Sequence, residues 1–376
     1  MKVLFIIQGE GRGHLTQAIT LEGILRRNGY DVVEVLVGQS SSRRLPGFFN
    51  RNIKAPVKRF LSPNFLPTPA NRRVSLTRSV VYNLLCLPAY FRSMRYIDRR
   101  IRETEAELVV NFYELLTGLT YFFFRPSVPQ VSIGHQYLFL HPEFHFPQKS
   151  GWSLSLLRFF TRLTSIGACR RLALSFRPMD DSPASRIRVV PPLLRSEVLA
   201  CESERGDYLH GYLLNAGFAD DVLGWHSRHP RVPLHFFWDK PGEEETCCMD
   251  DTLTFHQIDD MKFLRYMSGC RAYATTAGFE SVCEAMYLGK PLLMVPAHIE
   301  QDCNAYDAAR TGAGIVADSF DLQRLLDFER NYRPNVEFRY WARSAERIIL
   351  EALEEAVHSG RLPLGVPYEY CNGFEI

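Results

Sequence analysis

One segment near the carboxyl terminus, residues 275–304, constrains the fold more than any other part of the chain. Cys270–Thr275 predicts a short strand, Phe279–Leu288 has helical spacing, and Leu292–Val295 predicts a buried strand. Gly289-Lys290-Pro291 ends the helix before the second strand begins. A strand, a turn, a helix and another strand form the repeating unit of α/β sheets, which bind ligands at the carboxyl ends of their strands.

The turn that opens the predicted helix is suited to bind a phosphate. Gly278 precedes a helix whose first N–H groups are free and whose dipole is positive at that end. Ser281 adds a hydroxyl donor, and Glu284 lies one turn further on the same face, where a carboxylate accepts hydrogen bonds from ribose hydroxyls. Glu300 and Gln301 follow the next strand, where an acid and an amide can hold sugar hydroxyls.

This segment resembles the donor-binding half of GT-B glycosyltransferases, both the UDP-glycosyltransferase signature and the MurG-type enzymes that make lipid-linked peptidoglycan precursors. Six residues match the signature: Gly278, Ser281, Glu284, Pro296, Glu300 and Gln301. Thr276 stands where many members have a phosphate-binding His, and Glu280 where many have Asn. Gln257–Met261 resembles the MurG-type loop whose backbone contacts uracil. An ordinary β-α-β unit with a glycine turn is the alternative interpretation.

The amino terminus predicts a second glycine loop after a strand. Val3–Ile7 predicts the strand, and a helix is expected from about Leu15 to Arg27. The intervening glycines, Gly9, Gly11 and Gly13, do not have the G-x-G-x-x-G spacing of a dinucleotide fingerprint, which argues against NAD. The sequence GEGRGH instead resembles the loop of GT-B enzymes that carries a His facing the acceptor, so we expect these glycines to form an acceptor loop.

His14 and His135 are the candidate catalytic residues. His14 sits in the glycine loop, and a neutral imidazole near pH 7 can take a proton from the acceptor hydroxyl. His135 follows the predicted strand Val128–Gly134 and is expected to point into the same cleft. A satisfied structural histidine is the alternative for both positions, and Glu10 is an acidic alternative for the base.

Two domains and a C-terminal extension are predicted. Pro191-Pro192 follows the predicted strand Ile187–Val190 and indicates a linker. The boundaries are therefore 1–190 for an acceptor-binding Rossmann-like domain, 191–335 for a nucleotide-sugar-binding Rossmann-like domain, and 336–376 for a helix and tail. Val336–His358 is amphipathic, and by resemblance such a helix crosses back to the first domain. The predicted fold class is α/β, of the GT-B type, with the domains facing each other across a cleft.

Ten residues are predicted to bind the donor. They come from the turn after the strand Asp207–Leu214, the uracil-like loop, the helix-opening turn and the last polar loop, and they are Asn215, Gly217, Ile258, Thr276, Gly278, Phe279, Ser281, Glu284, Glu300 and Gln301. No metal ligands are expected among them, because a helix terminus can stabilise a pyrophosphate without a bridging cation.

Composition favours a cytoplasmic enzyme. Hydrophobic residues make up 46% of the chain and charged residues 23%, which is ordinary for globular proteins. No apolar run approaches the ~20 residues of a membrane-spanning helix. MKVLFIIQGEG predicts a strand and not a signal peptide, and the nine cysteines have no metal-binding spacing, so reduced cytosolic thiols are expected.

Positive charge is concentrated between residues 41 and 102. This block has 14 Lys/Arg and one acid, a net charge of +13, whereas the whole chain carries +2. Aromatic residues are interleaved with the charges, and a second basic and apolar stretch runs from Trp152 to Arg177. The pattern is compatible with an anionic membrane surface on the inner face, a lipid-linked acceptor or nucleic acid, with a solvated acceptor loop as the alternative. Nucleic acid is not expected, because no recognised binding motif is present.

The sequence predicts a hexosyltransferase that moves a sugar from a UDP-linked nucleotide-sugar to an acceptor hydroxyl, with the acceptor expected among cell-envelope glycoconjugates. The resemblance implies inversion, in which a base deprotonates the acceptor as its oxygen attacks the anomeric carbon and UDP leaves. No cofactor is expected, since the nucleotide-sugar is a substrate. The alternatives are a GT-B nucleotide-sugar epimerase and a noncatalytic protein that binds nucleotide-sugars or lipids.

Overall fold

A computed structural model describes residues 1–40, 45–64, 83–148, 151–214, 216–240 and 242–360. The first of its two sheets has seven parallel strands in the order β3-β2-β1-β4-β5-β6-β7. These strands are β1 (Lys2–Gln8), β2 (Asp31–Gln39), β3 (Val57–Leu61), β4 (Leu108–Phe112), β5 (Gln130–Gly134), β6 (Ala168–Leu174) and β7 (Ile187–Val190).

The second sheet also has seven strands, in the order β10-β11-β9-β8-β12-β13-β14. Its pairs are parallel except that of β10 with β11, which is antiparallel. The strands are β8 (Leu209–Leu213), β9 (Leu234–Trp238), β10 (Thr246–Cys248), β11 (Leu253–Gln257), β12 (Ala272–Thr275), β13 (Leu292–Met294) and β14 (Gly314–Val316).

Helices cover the faces of both sheets, as parallel strands require. In the first domain they are α1 (Arg12–Arg27), α2 (Gly47–Asn52), α3 (Leu87–Glu103), α4 (Leu115–Phe124) and α5 (Gly151–Thr164). The remaining helices are α6 (Ser196–Ala200), α7 (Ala219–His226), α8 (Asp260–Gly269), α9 (Phe279–Tyr287), α10 (Ile299–Arg310), α11 (Leu322–Glu329), α12 (Val336–Arg343) and α13 (Ala345–Gly360). Short 3-10 turns lie at His135–Leu140, Pro183–Ser185 and Ala216–Phe218.

The strand order places a ligand crevice in each domain. The order reverses between β1 and β4 in the first sheet and between β8 and β12 in the second. Open α/β sheets bind ligands outside the carboxyl ends of strands at such a switch point. Two of the loops that follow these strands are the glycine loop after β1 and the turn between β12 and α9.

Two predicted helix boundaries were wrong. α1 begins at Arg12 and not at Leu15, because Gly11 adopts an extended N-cap conformation with φ −104° and ψ 154°. His14 therefore lies in the first turn of a helix and not in the glycine loop. The helix predicted over 336–358 is divided into α12 and α13, which are separated by Ser344.

The C-terminal helices contact both domains. α13 packs on β5, β6 and β7 of the first sheet, where Ile349 and Leu353 are fully buried. α12 packs against α9 of the second domain. Arg188 forms an ion pair of 2.9 Å with Glu355 on α13. In the part of the chain that the structure describes, no helix is both long and apolar enough to cross a bilayer.

Candidate active site

The turn between β12 and α9 exposes backbone N–H groups at the start of a helix. Ala277 has a positive φ of 62°, which is unusual for a residue with a Cβ, and Gly278 is the extended N-cap. Thr276 is buried, and within the described ranges its hydroxyl has no hydrogen-bond partner. The Ser281 hydroxyl donates to the Gly278 carbonyl at 3.2 Å. The positive φ at Ala277, the unpartnered Thr276 hydroxyl and the helix dipole give this turn groups that are suited to bind an anion.

Glu284 lies one turn into α9, where it is 5% exposed and paired with Arg195. The Arg195 Nε donates to Glu284 Oε1 at 2.8 Å. Burial lowers the pKa of Arg195, but the Glu284 charge and hydrogen bond outweigh it, so the net shift is upward. Arg195 was not predicted from the sequence, because an arginine after a proline linker carries no local sign of its partner.

Glu300 and Gln301 lie in the first turn of α10 and make different contacts. Gln301 Oε1 accepts a hydrogen bond of 2.9 Å from the Ala297 backbone N–H. Glu300 Oε1 accepts one of 2.9 Å from Gln136 Nε2, on the opposite domain. Glu300 is therefore held at the junction of the two domains, beside the His14 helix.

Three further predicted donor residues come from other loops. Gly217 lies in the 3-10 turn after β8, and Ile258 follows β11 and packs partly buried against the core. Asn215 lies outside the described residues. Asp259 caps α8 by accepting from the Lys262 N–H at 2.8 Å, and Asp260 pairs with Arg12 of the first domain at 2.6 Å.

His14 lies in the first turn of α1, opposite the Glu300 loop. Its Nδ1 is 3.3 Å from Gln17 Oε1, and its Nε2 is 3.5 Å from Gln136 Nε2. The ring stacks on Tyr113, with centroids 5.5 Å apart. Burial lowers the pKa of His14, and the Glu300 charge offsets part of that shift. A histidine that stays neutral near pH 7 is suited to accept a proton.

The predicted glycine loop is shaped by close backbone packing. A Cβ at Gly9 would lie 2.5 Å from Val37 Cγ1, and one at Gly13 would lie 2.4 Å from Glu280 Oε2. Gly11 has open space around it and serves as the N-cap of α1. Gly13 therefore allows an acid of the second domain to reach the His14 helix.

His135 is enclosed between the two domains. It is 1% exposed, its Nδ1 lies 2.7 Å from the Leu174 carbonyl oxygen, and its ring stacks on Phe279 at 4.0 Å between centroids. Burial lowers its pKa. Its Nε2 is buried and has no hydrogen-bond partner among the described residues, and Phe279 packs on its ring behind the turn.

Carboxyl groups of the second domain contact first-domain side chains across the junction, and they include Asp260, Glu280, Glu300 and Asp307. Glu280 accepts a hydrogen bond from Gln17 Nε2, and burial raises its pKa to about 7, with further upward contributions from the Glu300 and Glu284 charges. No group of three metal-binding side chains occurs among the residues that the structure describes. The contacts of Gln17 with Glu280 and of Gln136 with Glu300 were not predicted from the sequence, because each joins the two domains.

Comparison with protein families gives a match over most of the chain. A family model described as "Glycosyl transferase family 1" matches residues 1–332. Comparison with curated proteins gives no match.

Three solved structures illustrate the likeness in fold. Os79 from O. sativa, in complex with U2F and trichothecene, has a TM-score of 0.61 and 12% identity over 95% of this chain and 100% of its own. The spinosyn forosaminyltransferase SpnP has a TM-score of 0.59 and 16% identity, over 95% of this chain and 99% of its own. UGT71G1 of Medicago truncatula, complexed with UDP-glucose, has a TM-score of 0.59 and 11% identity, over 95% of this chain and 98% of its own. The predicted α/β fold of the GT-B type is confirmed.

Proposed function

From the premise that the chain belongs to glycosyl transferase family 1 and is a glycosyltransferase, we propose that it transfers a sugar from a UDP-sugar to an acceptor hydroxyl with inversion and without a metal ion. The turn before α9 binds the pyrophosphate, and Glu284 accepts hydrogen bonds from the ribose. Glu300 and Gln301 hold sugar hydroxyls. His14 removes the proton of the acceptor hydroxyl as that oxygen attacks the anomeric carbon.

One observation carries the proposal: Gln136 contacts both His14 and Glu300. A candidate base on the first domain and a candidate sugar-binding acid on the second therefore lie one side chain apart. A nucleophilic displacement whose two substrates bind different domains needs this arrangement, because the attacking oxygen and the anomeric carbon must meet at close range. The free Thr276 hydroxyl and the α9 dipole support charge stabilisation of the leaving UDP.

Electrostatics also favour this placement of the pyrophosphate. Arg195 lies beside Glu284 and balances the negative charge that α9 would otherwise present to an anionic ligand. Asp260 is similarly paired with Arg12. Pairing of these acids leaves the helix N-terminus as an attractive site for phosphate oxygens.

The test begins with ligands. Thermal shifts across UDP, GDP, ADP, TDP and the corresponding nucleotide-sugars identify the donor, and we expect UDP compounds to stabilise the protein most. UDP release is then measured with the best donor, with and without candidate hydroxyl acceptors. Release that requires an acceptor supports transfer, whereas sugar interconversion without an acceptor favours the epimerase. Binding with neither reaction favours a noncatalytic role.

The acceptor side of the first domain supports a lipid-linked acceptor and a peripheral membrane location. Exposed apolar side chains lie on α3, α4 and α5 and just before α3, and we call this surface the outer apolar face. Its residues are Leu84, Leu85, Leu87, Phe91, Phe122, Phe123, Trp152, Leu156 and Phe159. α4 packs against both α3 and α5, and Phe91 lies 5.8 Å from Phe124. Part of the predicted basic block, 41–44 and 65–82, lies outside the described residues.

Positive charge borders this outer apolar face. Arg92, Arg95 and Arg99 are exposed on α3, and Arg125 and Arg162 are exposed at the ends of α4 and α5. Apolar side chains with a cationic border favour the interface of an anionic bilayer, where the rings enter the headgroup region and the guanidinium groups meet phosphates. We propose that this face brings the acceptor cleft to a membrane that carries the acceptor.

A further inference from the structure

His14 is contacted on both ring nitrogens by glutamine side chains. Gln17 Oε1 lies 3.3 Å from Nδ1, and Gln136 Nε2 lies 3.5 Å from Nε2. Each glutamine also contacts an acid of the opposite domain. Gln17 Nε2 donates to Glu280, and Gln136 Nε2 donates to Glu300 at 2.9 Å.

The acids determine which way both amides face. An ionised carboxylate can only accept hydrogen bonds, so each glutamine must turn its NH2 group toward its acid. Gln17 is then left with its carbonyl oxygen toward His14, and that oxygen can accept only from a protonated Nδ1. Gln136 directs its NH2 group at Nε2, which must therefore have a lone pair. Both contacts specify the same tautomer of His14.

We propose that Gln17 and Gln136 are positioning residues that hold His14 as the Nδ1–H tautomer, with Glu280 and Glu300 fixing the direction of both amides across the cleft. This inference rests on the proposed role of His14 as the base. It deepens that role, because the tautomer determines whether Nε2 can accept a proton at all.

The chemical consequence is that the lone pair of the base lies on His14 Nε2, where it can accept the proton of the acceptor hydroxyl. The acceptor hydroxyl takes the place of the long Gln136 contact at Nε2. Its proton passes to Nε2 while its oxygen bonds to the anomeric carbon, and UDP departs with the electron pair of the broken bond. The resulting imidazolium keeps its Nδ1–H bonded to Gln17, whose carbonyl stabilises the new charge.

The arrangement also couples the base to the contact between domains. His14, Gln17 and Gln136 belong to the first domain, whereas Glu280 and Glu300 belong to the second. Gly13 is needed for the approach, because a Cβ there would lie 2.4 Å from Glu280 Oε2. The base is therefore oriented only when the donor domain is in place.

The ionised state of Glu280 is the condition for this orientation. Glu280 faces Gln17 and Gly13 of α1, and the carboxyl groups of Glu284 and Glu300 lie near it. Burial raises the pKa of Glu280 to about 7, and the two acids add to that shift. The tautomer is therefore measured at about pH 8.5, well above that value.

The experiment records the tautomer directly. Long-range 1H–15N NMR spectra of 15N-histidine-labelled protein distinguish a protonated Nδ1 from a protonated Nε2, and the His14 signal is assigned by its loss in His14→Asn. We expect wild-type His14 to carry its proton on Nδ1. Gln17→Leu has no donor or acceptor and leaves only the longer Gln136 contact to favour Nδ1–H, so it should give a mixture of tautomers, as should Glu280→Gln.

Glu284→Gln is the matched control, because it neutralises an acid on the same helix that contacts Arg195 and not Gln17. It should leave the His14 tautomer unchanged. If Gln17→Leu does not fold, Glu280→Gln and Glu300→Gln test the same orientation from the other domain. A wild-type His14 with its proton on Nε2, or an Nδ1–H tautomer that survives in all these variants, overturns the inference.

Turnover gives a second readout with the donor selected by thermal shift. Gln17→Leu should lower kcat about tenfold to a hundredfold, as loss of an orienting partner does, with the donor KM almost unchanged. Normal turnover in His14→Asn would refute the proposed function, while the tautomer measurement would still stand on its own. Loss of turnover in His14→Asn with wild-type kcat in Gln17→Leu would refute only the positioning role.

Discussion

At the scale of single residues, Glu284 makes the most direct test of the donor site. Glu284→Gln removes the charge but keeps the length of the side chain and an acceptor oxygen for Arg195, whereas alanine would remove both. A hydrogen bond to a charged group contributes about 1.5–3 kcal/mol and a neutral one about 0.5–1.5 kcal/mol, so the Kd for UDP should rise about tenfold. Calorimetry measures the affinity, and Glu337→Gln on α12 is the exposed control. Unchanged affinity would remove Glu284 from the site.

His14 is the second residue to test. His14→Ala should lower turnover by about 10²–10⁴, the usual contribution of a general base, while UDP affinity stays close to wild type because the proposed UDP site lies on the other domain. His358→Ala, on the exposed side of α13, is the control. Near-normal turnover would move the assignment to His135 or Glu10.

The pH profile tests His14 without a mutation. Burial lowers its pKa below the ordinary value of 6.5, so the neutral form that accepts a proton persists to lower pH. The acidic limb of kcat/KM should therefore have two steps, one near pH 7 as Glu280 loses the charge that orients Gln17 and one below pH 6.5 as His14 takes up a proton. A profile without the step below pH 6.5 would contradict this assignment.

The chemistry of individual residues could be predicted from the sequence, but the residues that they contact could not. The positions of Gly278, Ser281 and Glu284 followed from helix geometry, because spacing along one helix is a local property. Arg195 is separated from Glu284 by 89 residues, and Gln17 from Glu280 by 263. Contacts of that kind depend on how two domains meet, and no local pattern encodes them.

At the scale of elements, we propose that the N-terminus of α9 stabilises the pyrophosphate in place of a bridging cation. Its free N–H groups and its dipole lie beside the buried, unpartnered Thr276 hydroxyl. We expect turnover, measured as UDP release, to be the same in EDTA as in added Mg²⁺ or Mn²⁺. Strict dependence on either ion, abolished by EDTA, would show that the helix terminus is insufficient.

Elements with a strong apolar run were predictable, and elements with charges were not. The strand Ile187–Val190 was predicted with its observed bounds. β6 was missed because Arg170 and Arg171 interrupt its apolar run. Arg170 faces Glu355 of α13 at 3.6 Å, so a distant helix compensates a charge that the local pattern disfavours. β3 is an edge strand with two basic residues, and edge strands commonly carry such charges.

At the scale of the whole molecule, the domain junction determines the site. The linker and the two strand–loop–helix patterns predicted two domains with an expected ligand loop on each, and the structure has two seven-stranded sheets. The stacking of His135 on Phe279 and the Arg12–Asp260 ion pair were not predictable, because each joins side chains that gain a partner only after both domains have folded.

The outer apolar face predicts that the protein binds anionic membranes. We expect the protein to sediment with vesicles that contain phosphatidylglycerol at low salt, to be released at high salt, and to ignore pure phosphatidylcholine vesicles. Each cation near an anionic surface contributes about 1 kcal/mol, so combined Arg92→Glu, Arg95→Glu and Arg99→Glu changes should weaken binding at least about a hundredfold.

Two comparisons separate this surface from general electrostatic attraction. Charge reversal at Arg231, Arg265 and Arg330, which are exposed on the second domain, changes the net charge equally and should leave binding nearly intact. Phe122→Ser with Trp152→Ser removes two exposed rings from the outer apolar face and should weaken binding without changing charge. If the protein ignores anionic vesicles at low salt, and the α3 charge reversals leave turnover unchanged, an acceptor free in solution becomes the better interpretation.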